Sequence, residues 1–199
     1  MSGASSCVDL GDVSFDRLSY SSAMELETER LLLGEAKVAD VEQMHRVFSS
    51  NPDFLELPPD IAAAGGYGVA SVRRYWEGAQ LDPVRHVLVV LDGQTDETVG
   101  LIDFVTESPT DGYPWIGLVL VHHGRQCDGI GTEAVAAVAG HLREEGHPLV
   151  RMAVIEGNEV GLAFASSVGF EAVADAPTVG PGAPVLVMEL DLSMPPRRE

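Results

Sequence analysis

The stretch WIGLVLVHHGRQCDGIGTEAV, Trp115 to Val135, decides how this chain folds. It opens on an apolar, β-branched run of strand length. It ends on the start of a helical pattern in which Ile130, Ala134, Val138 and Leu142 recur every four residues. Between them stand two glycines, Gly129 and Gly131. A strand therefore passes through bare backbone into a helix. The first turn of a helix leaves N–H groups without partners and carries the positive end of the helix dipole. Glycine removes side-chain bulk at that point, so an anion such as a phosphate can approach the backbone. The same glycines would also serve a plain turn with unusual dihedrals, and the pattern alone leaves both readings open.

Working outward, Gly146 and Pro148 end the helix, and LVRMAVI follows as a second apolar strand. Strand, helix and strand in that order predict a parallel pair joined by a helical crossover. Upstream, VRHVLVVL and TVGLIDFVTE flank the turn-forming DGQTDE and read as a hairpin. PTDGYP turns the second of them into WIGLVLV, giving a three-stranded antiparallel meander. Nearer the start, ELETERLLLGEA reads as a first strand. Asp40 and Gln43 read as a capping box, with Val41, Met44 and Phe48 on one helical face. Prolines in NPDFLELPPD break that helix, and a second runs from Val69 to Ala79 with Val72 and Trp76 four apart. Beyond LVRMAVI, a short helix places Val160, Phe164 and Val168 on one face and stops at Gly169. PVLVMELDL closes the sheet. The expected fold is α/β, a mixed and mostly antiparallel sheet with helices on both faces. Residues 1–22 read as a flexible leader, 23–192 as one domain and 193–199 as a tail.

Composition limits the function. The 199 residues carry a formal net charge of -19. Nucleic acid and anionic membrane are therefore not expected partners, because both require clustered Lys and Arg. A cationic amine would be drawn in, although acidity also serves solubility alone. Two cysteines, Cys7 and Cys127, make no disulfide framework, which fits a cytoplasmic setting. No apolar run approaches the roughly 20 residues that span a bilayer, and no metal-ligand spacing stands out.

LVLVHHGRQCDGIGTEAVAAVAGHL resembles the central motif of the GNAT acetyltransferase superfamily: Arg or Gln, any two residues, Gly, any residue, then Gly or Ala. Here the positions are Gln126, Cys127, Asp128, Gly129, Ile130 and Gly131. Downstream, Asn158 followed by Gly169 and Phe170 resembles the family's second landmark, and LETERLLL is similar to its first strand. The resemblance covers roughly residues 24–192. It implies a sheet with a central, splayed parallel pair and acetyl-CoA as cosubstrate, with no metal. It implies that the backbone N–H groups from Gln126 to Thr132 (Gln126, Cys127, Asp128, Gly129, Ile130, Gly131, Thr132) cradle the pyrophosphate. Val119, Leu120 and Val121 would pair their backbone with the pantetheine arm as an added strand does. A backbone N–H there would stabilise the oxyanion, and Asn158 would touch the coenzyme. Phe164 either packs on the pantetheine or belongs to the core. A homodimer is admitted by the resemblance but not shown by the sequence.

The chain departs from the pattern in its acid–base chemistry. Asp128 puts a negative charge in the phosphate loop, which Arg125 would offset. The helix tyrosine that protonates the departing thiolate is replaced by Ala165, leaving Ser166, water or an unassisted thiolate. WIGLVLV lacks the strand glutamate that serves as general base. Asp103 and Glu107 are candidates by proximity, and His122 and His123 by their titration range. The reading is an N-acetyltransferase in which a primary amine attacks the thioester directly. The acceptor is a small-molecule amine or, alternatively, a protein N-terminus. Its specificity is expected in SSNPDFLELPPDIAAAGGYG, where Phe54, Leu55 and Leu57 offer an apolar wall. The rival reading is a GNAT-fold protein that binds acetyl-CoA, or sequesters a drug, with weak or no turnover.

Overall fold

VRHVLVVL, TVGLIDFV and WIGLVLV form the middle of an eight-stranded sheet among the residues described by a computed structural model, 24–51, 68–173 and 184–193. The strands are β1 (Glu25–Glu27), β2 (Leu31–Glu35), β3 (Arg85–Asp92), β4 (Thr98–Val105), β5 (Trp115–Val121), β6 (Leu149–Ile155), β7 (Glu171–Ala172) and β8 (Val185–Asp191). The α-helices are α1 (Val41–Ser49), α2 (Val69–Ala79), α3 (Ile130–Glu144) and α4 (Glu159–Val168). The strand order is β1-β2-β3-β4-β5-β6-β8-β7. Every neighbouring pair is antiparallel except β5 and β6. This is the mixed, mostly antiparallel sheet expected from the sequence.

Two apolar layers cover the sheet. On one face Val41, Met44, Val47 and Phe48 of α1 meet Val72 and Tyr75 of α2 over Val87, Val89, Leu101, Leu118 and Leu120. On the other, Ile130, Ala134, Val135, Val138 and Leu142 of α3 lie over Leu88, Ile102, Phe104, Ile116 and Met152, with Ala165 of α4 beside them. Alternate residues of each central strand go to opposite layers, as the two-residue period of a strand requires. The four-residue stripe read from α3 is thus its buried face. Gly146 (φ 91°) ends α3: its N–H donates to Arg143 O (3.0 Å) and that of His147 to Leu142 O (3.0 Å). Gly169 (φ 103°) ends α4 with the same pair of bonds, to Ser166 O and from Phe170 to Ala165 O.

Three local expectations are corrected. ELETERLLLGEA is a hairpin, β1 and β2, because Thr28 makes a tight turn: its Oγ1 accepts from Leu31 N–H (2.9 Å) and its own N–H donates to Leu31 O (3.0 Å). Asp40 does not cap α1 with its side chain. Its carboxylate accepts from Lys37 N–H (2.7 Å) and closes a 3-10 turn, Val38–Asp40, that leads into the helix. Val160 is 81% exposed and leaves the apolar face of α4 to Phe164 and Val168. The helix meets the core through Leu162, Phe164, Ala165 and Val168, and Val160 stands clear of it. The leader with Cys7, residues 52–67 of the expected acceptor loop with Phe54, Leu55 and Leu57, and residues 194–199 of the tail lie outside the described residues. Among the described residues no helix is long and apolar enough to cross a membrane.

Candidate functional site

The sheet opens between β5 and β6. These two strands pair only at Trp115–Arg151 and Ile116–Met152. Beyond that point each keeps its outer neighbour: β5 stays on β4 as far as Val121, and β6 on β8 as far as Ile155. A wedge therefore forms inside the sheet, with one unpaired strand edge on either side. A bulge marks its closed end. Asp103 faces Leu118 while Phe104 faces Ile116, so the exposed Gly117 is the extra residue.

Hydrogen bonds at the strand ends fix which main-chain groups face the wedge. His122 N–H donates to Val99 O (2.8 Å). With the observed register, Leu120–Leu101 and Leu118–Asp103 are then bonded pairs, and the N–H and C=O groups of Val119 and Val121 point into the wedge. On the opposite edge Glu156 N–H donates to Pro184 O (2.8 Å), so Val154 and Met152 face β8 and the groups of Ala153 and Ile155 face the wedge. Of the three strand residues expected to hold an extended arm, Val119 and Val121 turn their main chain to the wedge. Leu120 turns its main chain to β4. A backbone polar group away from water costs about 1–3 kcal/mol when left without a partner. The two edges thus present main-chain donors and acceptors to the wedge at strand spacing.

At the open end of the wedge β5 leads into the glycine loop. Gln126, Cys127, Asp128, Gly129 and Thr132 are exposed, while Ile130 and Gly131 are buried. Cys127 (φ 64°) and Gly129 (φ 80°) both take left-handed backbone, which Gly129 adopts without strain. Gly129 is the N-cap of α3, and no side chain caps the helix. The first-turn amides of Ile130, Gly131 and Thr132 therefore have no intrahelical acceptor. Gly131 serves packing as well, since a Cβ there would lie 3.1 Å from the Phe164 ring. Phe164 packs against the start of α3. Asn158 caps α4, its Oδ1 accepting from Gly161 N–H (2.9 Å).

Charge around the loop is balanced by two arginines. Asp128 points outward, and Arg125 reaches both it (3.5 Å) and Asp92 (2.9 Å). The hydrogen bond from Arg125 holds the Asp92 carboxyl below its ordinary range. The second arginine, Arg30, is not legible as a site residue in the sequence. It comes from the β1–β2 turn and donates to Asp128 O (3.1 Å) and to Glu133 in the first turn of α3 (2.7 Å). Thr28 donates to the same carboxylate (2.5 Å). Partial burial pushes the Glu133 carboxyl up, but the bonds from Thr28 and Arg30 outweigh it and the net shift is downward. A second missed residue is Asn51, just past α1. Its Nδ2 donates to Val121 O (3.1 Å) and its Oδ1 accepts from Gln126 Nε2 (2.7 Å).

The acid–base candidates are dispersed. Asp103 is 5% exposed and faces α2, where Tyr75 OH is bonded to it, and Arg85 of β3 donates to it (2.7 Å). Burial, then the Asp103 charge, raises the Tyr75 pKa well above its ordinary value, and the Asp103 bond raises that of Arg85. Ser166 lies on the exposed side of α4, while Ala165, at the tyrosine position, is buried. Glu107 is exposed on the β4–β5 connection. His122 accepts from Gly124 N–H (3.2 Å) through Nδ1 and shapes the turn before the loop, and His123 is exposed. Among the described residues no three His, Cys, Asp or Glu side chains gather as metal ligands.

Comparison with known proteins agrees with this geometry. The acetyltransferase (GNAT) domain model matches residues 30–171. An acetyltransferase from Thermus thermophilus is 25% identical, with a TM-score of 0.66 over 84% of this chain and 99% of its own. A probable acetyltransferase of the GNAT family from Chromobacterium violaceum ATCC 12472 is 14% identical, with a TM-score of 0.70 over 96% of this chain and 98% of its own. The ribosomal L7/L12 α-N-protein acetyltransferase RimL, solved in complex with coenzyme A as a coenzyme–cysteine disulfide, is 16% identical, with a TM-score of 0.68 over 84% of this chain and 98% of its own. No curated protein matches the chain. The wedge between β5 and β6, the uncapped helix start beside it and the family match over most of the chain lead to one conclusion: this protein belongs to the GNAT acetyltransferase family.

Proposed function

We propose that the chain moves the acetyl group of acetyl-CoA to a primary amine, with a small molecule as acceptor. One observation carries this reading: two unpaired strand edges converge inside the sheet and open directly beneath an uncapped helix N-terminus. That arrangement suits a ligand that is extended and amide-bearing at one end and carries a diphosphate at the other. The amides from Gln126 to Thr132 hold the diphosphate. The groups of Val119, Ala153 and Ile155 hold the arm. Acetyl-CoA supplies an activated thioester carbonyl, and coenzyme A departs as its thiol.

The chain's own contribution is placement and electrostatics. The Val119 N–H faces the wedge and would meet negative charge as it builds on the thioester oxygen. A primary amine with a pKa near 10 is neutral in only about one molecule in a thousand at neutral pH. The acidic surface concentrates the protonated form, and the small fraction that has given its proton to solvent is the one that attacks. We assign Asp103 to structure and not to proton transfer, because its carboxylate is committed to Arg85 and Tyr75. With Ala165 where the family has a tyrosine, the thiolate leaves without a side-chain acid, as a thiol pKa near 8.5 permits.

That no poised base stands in the wedge among the described residues favours a second reading, binding with slow turnover. Free-thiol release from acetyl-CoA over a panel of polyamines, aminoglycosides and peptides with a free N-terminus decides between them. The peptides are included because RimL acts on a ribosomal-protein α-amino group. Steady release with a small amine supports the transferase. Saturable coenzyme binding with no release above the protein-free rate supports the second reading.

A further inference from the structure

We propose that Asn51 is a positioning residue that sets how far the pantetheine arm runs along β5, and so where the thioester stops. The inference rests on the coenzyme reading above. Asn51 is 7% exposed, and its amide is fully used. Nδ2 donates to Val47 O in the last turn of α1 (2.9 Å) and to Val121 O (3.1 Å), and Oδ1 accepts from Gln126 Nε2 (2.7 Å). Exchanging its oxygen and nitrogen would set an oxygen against two carbonyls, so the orientation is determined by the network. Gln126 Nε2 also reaches Val121 O (3.3 Å). The wedge-facing carbonyl at the end of β5 thus receives two side-chain donors, which fills both of its lone pairs.

An arm lying along β5 as an added strand would use every second residue of that edge, a repeat of about 6.8 Å. Val121 O is closed to it, and Val119 O has no side-chain donor among the described residues. The arm therefore finds its acceptor at Val119. The stop is rigid because α1 and the glycine loop are tied together twice: Ser50 Oγ also accepts from His123 N–H (3.0 Å). A side chain that only bolted α1 to the sheet would not need to occupy this carbonyl.

The test uses the full chain as Asn51→Ala, Asn51→Asp and the double variant Asn51→Ala/Gln126→Ala. Calorimetry measures the affinity for acetyl-, propionyl- and butyryl-CoA, NMR the carbonyl shift of bound [1-13C]acetyl-CoA, and dichroism the melting temperature. None of these needs the acceptor. The wild type is expected to prefer acetyl-CoA to butyryl-CoA by at least 10-fold. The double variant should lose most of that preference and shift the bound carbonyl signal toward its free value, whatever its absolute affinity for acetyl-CoA. Asn51→Asp, which keeps the shape but cannot donate to Val121 O, should fall on the same side. A folded variant with unchanged chain-length preference and carbonyl shift overturns the proposal. So does a loss of affinity equal for all three esters and matched by the loss of stability. If the wild type binds no acyl-CoA, the coenzyme reading itself fails.

Discussion

A proline scan of two adjacent residues tests the geometry of the wedge. Val119 and Leu120 are neighbours on β5, yet their N–H groups point in opposite directions, Val119 into the wedge and Leu120 to Leu101 on β4. Leu120→Pro removes a ladder bond and leaves a buried carbonyl unpaired, at about 1–3 kcal/mol. It also disturbs a side chain that is 4% exposed in the α1–α2 layer, so the total is roughly 4 kcal/mol. For a chain of this size that lowers Tm by about 8–16 °C. Val119→Pro removes no ladder bond, and its preceding residue is already extended as proline requires. Only partial loss of side-chain packing remains, about 1 kcal/mol or 2–4 °C. The cost should appear instead in coenzyme affinity: one lost hydrogen bond weakens Kd by roughly 2- to 13-fold. If the amide also polarises the thioester, turnover falls a further 100-fold or more, on the order seen for oxyanion donors. Melting by dichroism and calorimetry with acetyl-CoA supply both numbers, with Val119→Ala as control for the side chain. Equal destabilisation by the two prolines, or Val119→Pro binding as tightly as Val119→Ala, would refute the assigned phase.

Other consequences follow from single contacts. Gly129→Ala forces a left-handed residue with a Cβ 3.3 Å from the Arg30 guanidinium; it should cost about 1–2 kcal/mol and weaken acetyl-CoA binding, measured by melting and calorimetry. Asp103→Ala strands Arg85 and Tyr75; we expect about 3 kcal/mol of lost stability, whereas Asp103→Asn that still folds should keep kcat within about 3-fold. A larger kcat loss in that variant would mark Asp103 as the base. Burial pushes the Asp111 carboxyl up, but the Trp115 indole, the Tyr113 amide and Arg151 (2.6 Å) more than offset it, and the net shift is downward. Its folded pKa lies below the unfolded one, so its stabilisation is complete above about pH 4 and lost as pH falls through the depressed value. Asp111→Asn should flatten the acid limb of a Tm-against-pH profile.

What the sequence revealed was its periodicities and its glycines. The four-residue stripe of α3, the bounds of α2 and the parallel step from β5 to β6 are local patterns, and they fold as read. The hairpin at Thr28 was hidden because its strands are short and the turn is made by a side-chain oxygen instead of a glycine. Val160 was misassigned because periodicity shows which residues share a face, not where along the helix the core ends. Arg30 and Asn51 were out of reach for a different reason. Arg30 meets Asp128 and Glu133 from about a hundred residues away, and Asn51 meets Val121 and Gln126 across some seventy. Such pairings exist only once the sheet has brought distant loops together. The phase of the wedge likewise required a strand-end hydrogen bond, since an apolar run carries no signal of which way its amides point.

Residue-resolved amide hydrogen exchange of β5 and β6, with and without saturating acetyl-CoA, puts the wedge to its most direct test. Binding should slow exchange at least 10-fold at Val119 and at Ala153 or Ile155, whose N–H groups lie on the open edges. Leu120 and Val154, already paired to β4 and β8, should be almost unaffected. Unchanged exchange at Val119 and Ala153 in the saturated protein would contradict the account.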